Sequence, residues 1–433
     1  MICCKNNKGL IRFLFTFFIA VCQIFVQAQT VVNNGASIFV TSGANVVIGG
    51  DLVNLQAAGN DGNISLDGNI LLNGNFTNNA SNNVFINIEP VPNGNVIFKG
   101  NLPQSINGTS PVFFESVDLQ KSDKELNLND CRIYGSLRLD AILRLNSNRL
   151  ILENGNPFSI NYVSKYILSE TTPSMGYGII QWNIGRNIGT YNVPFGSGLD
   201  VTNDLNVTLT TRTSAWPTTG SVSFATYHTD QMNVPYPQNV FTLNDYNPDA
   251  MADRFWLVSP DFTEKPDIDL VFTYTAPDIV FNSSIKTDFL KGMRYNPSQS
   301  TWEDMPPKGL SDIDNLKVSV LNISNNDFFS DWALISSDLE PHPWVPNSFT
   351  PNGDTHNDVF LTECLGFEPV KYQLMIFNRW GGKIYETEDI KKGWDGKIDG
   401  SSLCPQGVYV WKVIATSDNG TEYKFIGRVS LVK

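Results

Sequence analysis

An eight-residue pattern recurs in the first third of the chain. Asn45-Val46-Val47-Ile48-Gly49-Gly50-Asp51-Leu52 is matched by Asn69-Ile70-Leu71-Leu72-Asn73-Gly74-Asn75-Phe76 and again by Asn95-Val96-Ile97-Phe98-Lys99-Gly100-Asn101-Leu102, with starts 24 and 26 residues apart. A weaker fourth copy, Asp130-Cys131-Arg132-Ile133-Tyr134-Gly135-Ser136-Leu137, begins 35 residues later. Each copy is a short β-forming run flanked by Gly, Asn or Asp, which turn the chain at little cost. A period in the twenties built this way specifies stacked coils. One coil cannot bury its apolar row alone, and stacking makes the rows continuous. Residues 29–158 are therefore predicted to form a β-solenoid of the parallel β-helix type, with matching asparagines laddered between coils. A series of antiparallel hairpins with similar strands is the alternative.

Residues 159–337 change character: glycine falls, and Thr, Tyr, Phe and Trp rise. Leu205, Val207 and Leu209 alternate with Asn206 and Thr208; Ile268, Leu270, Phe272 and Tyr274 alternate with Asp269 and Thr273. Period two marks half-buried strands. Further strands are predicted at 179–184, 222–227, 318–323 and 332–335. Pro- and Asp-rich turns between them argue for an antiparallel β-sandwich. Residues 338–343, with Pro341 and Pro343, read as a stiff linker.

The last 90 residues carry a third pattern. Tyr372, Leu374 and Ile376 alternate with Gln373 and Met375, and residues 408–413 form a second β-rich run. Asp418-Asn419-Gly420 separates it from residues 423–432, a short-hairpin signal because Asn and Gly tolerate positive φ. Within 344–433 stand Pro346-Asn347-Ser348-Phe349-Thr350-Pro351-Asn352-Gly353-Asp354, then Asn357-Asp358-Val359-Phe360, Asn378-Arg379-Trp380-Gly381, Gly393-Trp394-Asp395-Gly396 and Gly407-Val408-Tyr409. In this order, at the C-terminus, they resemble the gliding-motility-associated C-terminal domain, the type B sorting domain of the type IX secretion system. Thr355 departs from the pattern, where the family usually has glycine. The resemblance implies an immunoglobulin-like β-sandwich, passage through the periplasm, recognition by the outer-membrane translocon and its shuttle or attachment machinery, and display on or release from the surface of a Gram-negative cell. Trp380, Trp394 and Trp411 are predicted to pack in the core or under turns. Asn352, Asp354, Asn357 and Asp358 crowd one loop with hard oxygen donors; turn capping is the simpler reading, and no metal or other cofactor is assigned.

The N-terminus reads as a secretory signal peptide, residues 1–28. Lys5, Lys8 and Arg12 precede a 14-residue apolar run, Phe13 to Val26, too short for a comfortable membrane span. Val21 before Cys22 argues against a lipoprotein box, and no later apolar run suits a transmembrane segment. The formal charge of −13 becomes about −16 once those three basic residues leave. Such a surface repels phosphate backbones and disfavours nucleic acid as a partner. Of six cysteines, Cys131, Cys364 and Cys404 remain in the mature chain. An odd count leaves at least one thiol unpaired; Cys364 and Cys404 share the last domain, and Cys131 reads as a small buried hydrophobe.

Catalytic constellations are missing from the sequence. The three histidines, His228, His342 and His356, have no metal spacing and read as solvated loop residues. No nucleophile elbow, phosphate loop or dinucleotide fingerprint occurs. Asp51, Asp61, Asp67, Asp118, Asp123 and Asp140 mostly adjoin turn residues, and sequence does not pair them across a groove as glycoside hydrolysis requires. The expectation is a non-enzymatic cell-surface protein: an adhesin or surface structural component linked to gliding or attachment, with surface glycans among its partners. The competing reading is a secreted carbohydrate-active or carbohydrate-binding protein, with Trp182, Trp216, Trp256 and Trp302 available to stack on sugars.

Overall fold

The computed structural model describes residues 2–5 and 30–432, except 87–92, 129, 172–175, 199–204, 213–218, 244–247, 280–284, 286, 288–289, 305–309, 337–341, 355, 366–368, 399–401 and 417–421; for 2–5, 304, 310, 342–344 and 363–365 only the backbone is described. Nearly all of the expected signal peptide, Trp216 and the Asp418-Asn419-Gly420 turn thus lie outside the described residues. So do the side chains of His342 and Cys364. The chain is all-β; among the described residues the only helical segments are single 3₁₀ turns such as Ala276–Asp278. It forms two compact units, 1–336 and 337–433.

The first unit begins as a parallel β-helix of about six turns. Its first face stacks Asn45–Ile48, Asn69–Leu72, Asn95–Phe98, Ser116–Gln120, Leu137–Asp140 and Ile160–Tyr162, all parallel. The three repeat copies fall in perfect register, Asn45 on Asn69 on Asn95. The fourth copy does not continue this row. Asn95 pairs instead with Ser116, and Cys131–Ile133 lies on the third face beside Val112–Phe114. The coils shorten after Asn95, and every face carries the same alternation, so similarity alone does not say which face a run occupies.

Asparagines do ladder between coils. Asn33 Nδ2 donates to Asn54 Oδ1 at 2.9 Å, and Asn54 Nδ2 donates to Asn78 Oδ1 at 3.0 Å. All three are buried. Asn78 Nδ2 closes the ladder on the carbonyls of Asn82 and Pro111. Buried amides must be satisfied, and this row satisfies them by turning each coil at the same place. Inside, Phe76, Phe85, Phe98 and Phe114 pack with centroids 5.2–6.3 Å apart. Cys131 is also interior, 1 % exposed, and burial pushes its thiol pKa up.

The helix passes into a sandwich without a break. Arg149–Leu152 pairs parallel with Ile179–Trp182, the last strand of the third face. Ile179–Trp182 then pairs antiparallel with Gly220–His228, and the sheet continues through Met251–Phe262, Asp331–Ser336, Leu290–Asn296 and Thr301–Asp304. A five-stranded sheet carries Thr190–Val193, Val207–Thr211, Ile268–Thr273, Lys317–Ile323 and Leu310–Asp312. Trp182 marks the junction. It is fully buried, donates to the Asn154 carbonyl at 2.9 Å and meets Tyr191 edge-on at 5.1 Å. One apolar core runs from Val40 to Leu334, so the division at 158/159 falls within a single compact unit.

A buried polar network ties the sandwich to the last coil. Arg254, fully buried, donates through Nε to Asp278 Oδ1 and through Nη1 to Glu170 Oε2, both at 2.9 Å. Thr275 donates to Asp278 Oδ2 through its amide and hydroxyl. His228 contacts Asp278 Oδ1 at 3.1 Å through Nδ1, and its amide donates to Glu170. His228 therefore ends a strand against a buried carboxylate and is not a solvated loop residue. Burial would raise the Asp278 pKa, but Arg254, His228 and Thr275 together outweigh it and hold it below the ordinary value.

Asp331 lacks such a partner set. It is 8 % exposed, accepts a 2.8 Å bond from Ser330 Oγ, and burial raises its pKa to about 6. A folded pKa above the unfolded one means the carboxyl costs nothing at low pH and destabilises as pH rises from about 4 to 6. Asp331→Asn is expected to stabilise the chain by about 2 kcal/mol at pH 7, and by little at pH 4. Unfolding at the two pH values measures it; an equal effect at both would assign the gain to packing instead.

Candidate functional site

The second unit is built on one five-stranded sheet. Gly407–Thr416 and Glu422–Leu431 form its long central hairpin, flanked by Lys371–Phe377, Lys383–Thr387 and, parallel to the last strand, Ser348–Phe349. Two short ladders, His342–Trp344 with Glu363–Leu365 and Lys397–Ile398 with Ser402–Leu403, complete it. Alternation along Gly407–Thr416 buries Tyr409, Trp411, Val413 and Ala415 and turns Val408 outward, 56 % exposed.

The motif residues divide into a core and a rim. Trp394 is the hub. It is fully buried, with ring centroids 5.2 Å from Phe349 and 4.9 Å from Tyr409, and its Nε1 donates to the Lys397 carbonyl at 2.8 Å. Phe360 and Trp394 exchange backbone hydrogen bonds at 2.8 and 3.0 Å. Gly393 allows this: a Cβ there would stand 2.4 Å from the Phe360 carbonyl oxygen. Tyr409 Oη donates to the Pro405 carbonyl, and Cys404 is buried in the same cluster. Asn347 accepts from the Ser430 amide, fixing the first motif to the last strand. Asp395 caps its turn by accepting from the Lys397 amide, and Gly396 takes φ +79°. Gly407 meets nothing within 4 Å where a Cβ would stand, so packing does not explain it.

The loop between Phe349 and Phe360 is held by its own side chains. Asp354 Oδ1 accepts from the His356 amide, Asp354 Oδ2 from Asn352 Nδ2, and Asp358 Oδ1 from the Gly353 amide. The Asn357 carbonyl accepts from Thr350, with Asn357 itself at φ +53°. Pro346 and Pro351 are half-buried at the borders of this segment. These oxygens already cap turns, as Asx-rich loops do. Among the described residues no cluster of His, Cys, Asp and Glu suits a metal ion.

One expectation fails here. Trp394 and Trp411 are buried, but Trp380 is 80 % exposed. It stands on the turn joining Lys371–Phe377 to Lys383–Thr387, where Asn378 Oδ1 accepts from the amides of Trp380 and Gly382. Gly381 provides the positive φ, +82°, that closes the turn. Arg379 lies 4.7 Å over the indole ring. The turn is over-specified while its largest side chain faces solvent. Residues 344–430 match the type IX secretion signal domain CHU_C. No curated protein matches the chain. The secretion signal domain, at the C-terminal end of this chain, implies export by the type IX system, interaction with its machinery, and a secreted or cell-surface protein. Among the described residues, no helix is long and apolar enough to cross a membrane.

The other sequence candidates scatter. Trp182, Trp256 and Trp302 are buried and unavailable for stacking. Asp51 accepts from the Asn75 amide, Asp61 from Ser81 and Asn82, and Asp123 pairs with Arg144 at 3.1 Å. Asp118 and Asp140 alone converge, on either side of Arg138.

Proposed function

We propose that the chain is a non-enzymatic surface protein, an adhesin or structural component serving attachment or gliding, that crosses the inner membrane by its N-terminal leader and leaves the periplasm by its C-terminal unit. The observation that carries this reading is the secretion signal domain folded as its own compact unit, with a buried motif core and an exposed Arg379-Trp380 tip. A tip without a packing role suits recognition by the translocon. The acidic groups give the enzyme reading little support, because Asp118 and Asp140 both lie beside Arg138, at 3.9 and 2.9 Å.

Removing residues 344–433 is expected to leave a folded protein trapped in the periplasm, since the first unit has its own core. Trp380→Ala tests the tip separately. An exposed substitution of this kind changes stability by only about 0.5–1 kcal/mol, including the lost Arg379 stacking. Protease digestion of intact cells should nevertheless find much less of this variant at the surface. Normal surface display of the truncated chain would refute the export reading; normal display of Trp380→Ala would remove the tip from it.

A further inference from the structure

The last strand of the second unit leaves one side of its main chain unpaired. Glu422–Leu431 pairs along its whole length with Gly407–Thr416 on one side. On the other side, Ser348–Phe349 reaches only Ser430 and Leu431. The Ser430 and Val432 amides donate to the Asn347 and Phe349 carbonyls, toward that second side. Successive residues of an antiparallel strand aim their N–H and C=O groups alternately to its two sides. Arg428, Ile426, Lys424 and Glu422 therefore aim theirs the same way as Ser430, and among the described residues no strand pairs with them there. Residues 422–429 form a free edge about 26 Å long, at about 3.3 Å per residue.

The two faces of this edge differ. Tyr423 and Phe425 turn toward the core, half-buried, with near-parallel rings 6.4 Å apart. Gly427 follows them on the same face, where the Trp411 indole fills the room a side chain would take; a Cβ on Gly427 would stand 2.3 Å from it. The opposite face carries Lys424, Ile426 and Arg428, all exposed, with Lys412 across from Ile426. Lys424 holds Glu422 at 2.6 Å, and Lys412 and Lys371 add to the pull that keeps the Glu422 carboxyl below its usual range. Ile426 is 69 % exposed and stands outside the apolar core of the unit. Charged residues guard an edge against unwanted pairing, but an exposed isoleucine between them invites it.

We infer that this edge takes an added strand from a protein of the export machinery, an extended segment that reads carboxylate, three apolar residues, carboxylate. Main-chain hydrogen bonds supply the affinity of such an addition, and the side chains beside the edge supply its specificity. The carboxylates fall beside Lys424 and Arg428, and the apolar side chains beside Phe425, Ile426 and Gly427. A second copy of this chain fits poorly. Antiparallel pairing centred on Ile426 sets Lys424 of one copy opposite Arg428 of the other, and like charges so placed repel. The assignment of the partner to the export machinery rests on the secretion reading; the shape and charge of the edge do not.

The test titrates the purified mature chain with the labelled peptide Thr-Glu-Val-Ile-Val-Glu-Thr, which meets the pattern in either direction, and with Thr-Lys-Val-Ile-Val-Lys-Thr. By fluorescence anisotropy the glutamate peptide is expected to bind and the lysine peptide is not. Binding should slow hydrogen exchange at the Lys424 and Ile426 amides, which the strand alone leaves unpaired. Ile426→Pro removes one outward N–H and spares the ladder to Gly407–Thr416. It should weaken binding about tenfold, the loss of one good hydrogen bond. Lys424→Glu with Arg428→Glu should turn the preference to the lysine peptide, and serves if Ile426→Pro fails to fold. No binding of the glutamate peptide at millimolar concentration would overturn the proposal, as would equal binding of both peptides or dimerisation of the chain through this edge. In cells the folded double variant should lose surface display. Normal display of that variant, while the chain lacking 344–433 stays in the periplasm, would overturn the role of the edge and leave the export reading standing. Normal display of the truncated chain would overturn the export reading, and with it the partner assigned here.

Discussion

Arg254→Met should destabilise the first unit by about 3–5 kcal/mol, although methionine nearly fills the same space. The cost comes from what is left behind. Asp278 is fully buried, Glu170 is 8 % exposed, and Arg254 is the charge that balances both. Without it, two carboxylates stand in a low-dielectric interior with only neutral donors and the half-buried His228 beside them. The sign of the pH effect follows. In the parent chain Asp278 is held below its ordinary pKa, so its contribution is present above the unfolded pKa and is lost as pH falls through the lower folded value. In the variant, burial acts on Asp278 with less opposition and its carboxyl rises. Its penalty should then fade as acid protonates it, and the gap between variant and parent should narrow toward pH 4. Adding Glu170→Gln and Asp278→Asn to Arg254→Met should recover part of the loss at pH 7, since it removes the orphaned charges. Denaturant unfolding of the three chains at pH 7 and pH 4 measures this. A deficit in Arg254→Met that is the same at both pH values and unrelieved by the added substitutions would show that arginine acts there by packing alone.

How much of this was legible beforehand depended on how local each determinant is. The register Asn45–Asn69–Asn95 is legible because coil length stays near constant over those turns, so identical patterns land on identical positions. The copy at 130–137 misleads because coils shorten and all three faces alternate alike. The sandwich strands at 205–211 and 268–274 announce themselves by period two, and they pair directly, Leu209 against Leu270. Nothing local announces that Ile179–Trp182 belongs to both architectures, parallel to one neighbour and antiparallel to the other. The His228 contact was hidden for the same reason. Its partners Asp278 and Glu170 are 50 and 58 residues away along the chain.

The candidate sites show the same division. The motif core of the last unit is readable because aromatic residues in a small β-domain have few places to go but inside. Trp380 breaks that rule, and the signal lay in its neighbours: Asn378 and Gly381 make a closed turn without help from the indole, and Arg379 covers one face. A polar cleft on the β-helix was the least legible feature. Asn95, Asp118 and Arg138 come from successive coils, and only the stacked register brings them to one cleft.

Trp394→Ala should abolish surface delivery by a route opposite to that of Trp380→Ala. Trp394 is fully buried, packs on Phe349 and Tyr409, and donates to the Lys397 carbonyl. Truncating it removes these contacts, leaves a cavity and orphans an acceptor, at a cost of about 3–5 kcal/mol. A unit of this size is stable by only about 5–15 kcal/mol, so much or all of the margin disappears. The first unit, with a core of its own from Val40 to Leu334, should keep its melting transition. A folded cargo would thus carry an unfolded signal, and the chain should accumulate in the periplasm as the truncated protein does. Trp380→Ala should keep both melting transitions and still lose delivery. Calorimetry of the purified variants, set beside protease accessibility on intact cells, separates the two cases. Normal display of Trp394→Ala with its second transition gone would mean that the machinery reads an unfolded segment, and the exposed turn could then have no part in recognition.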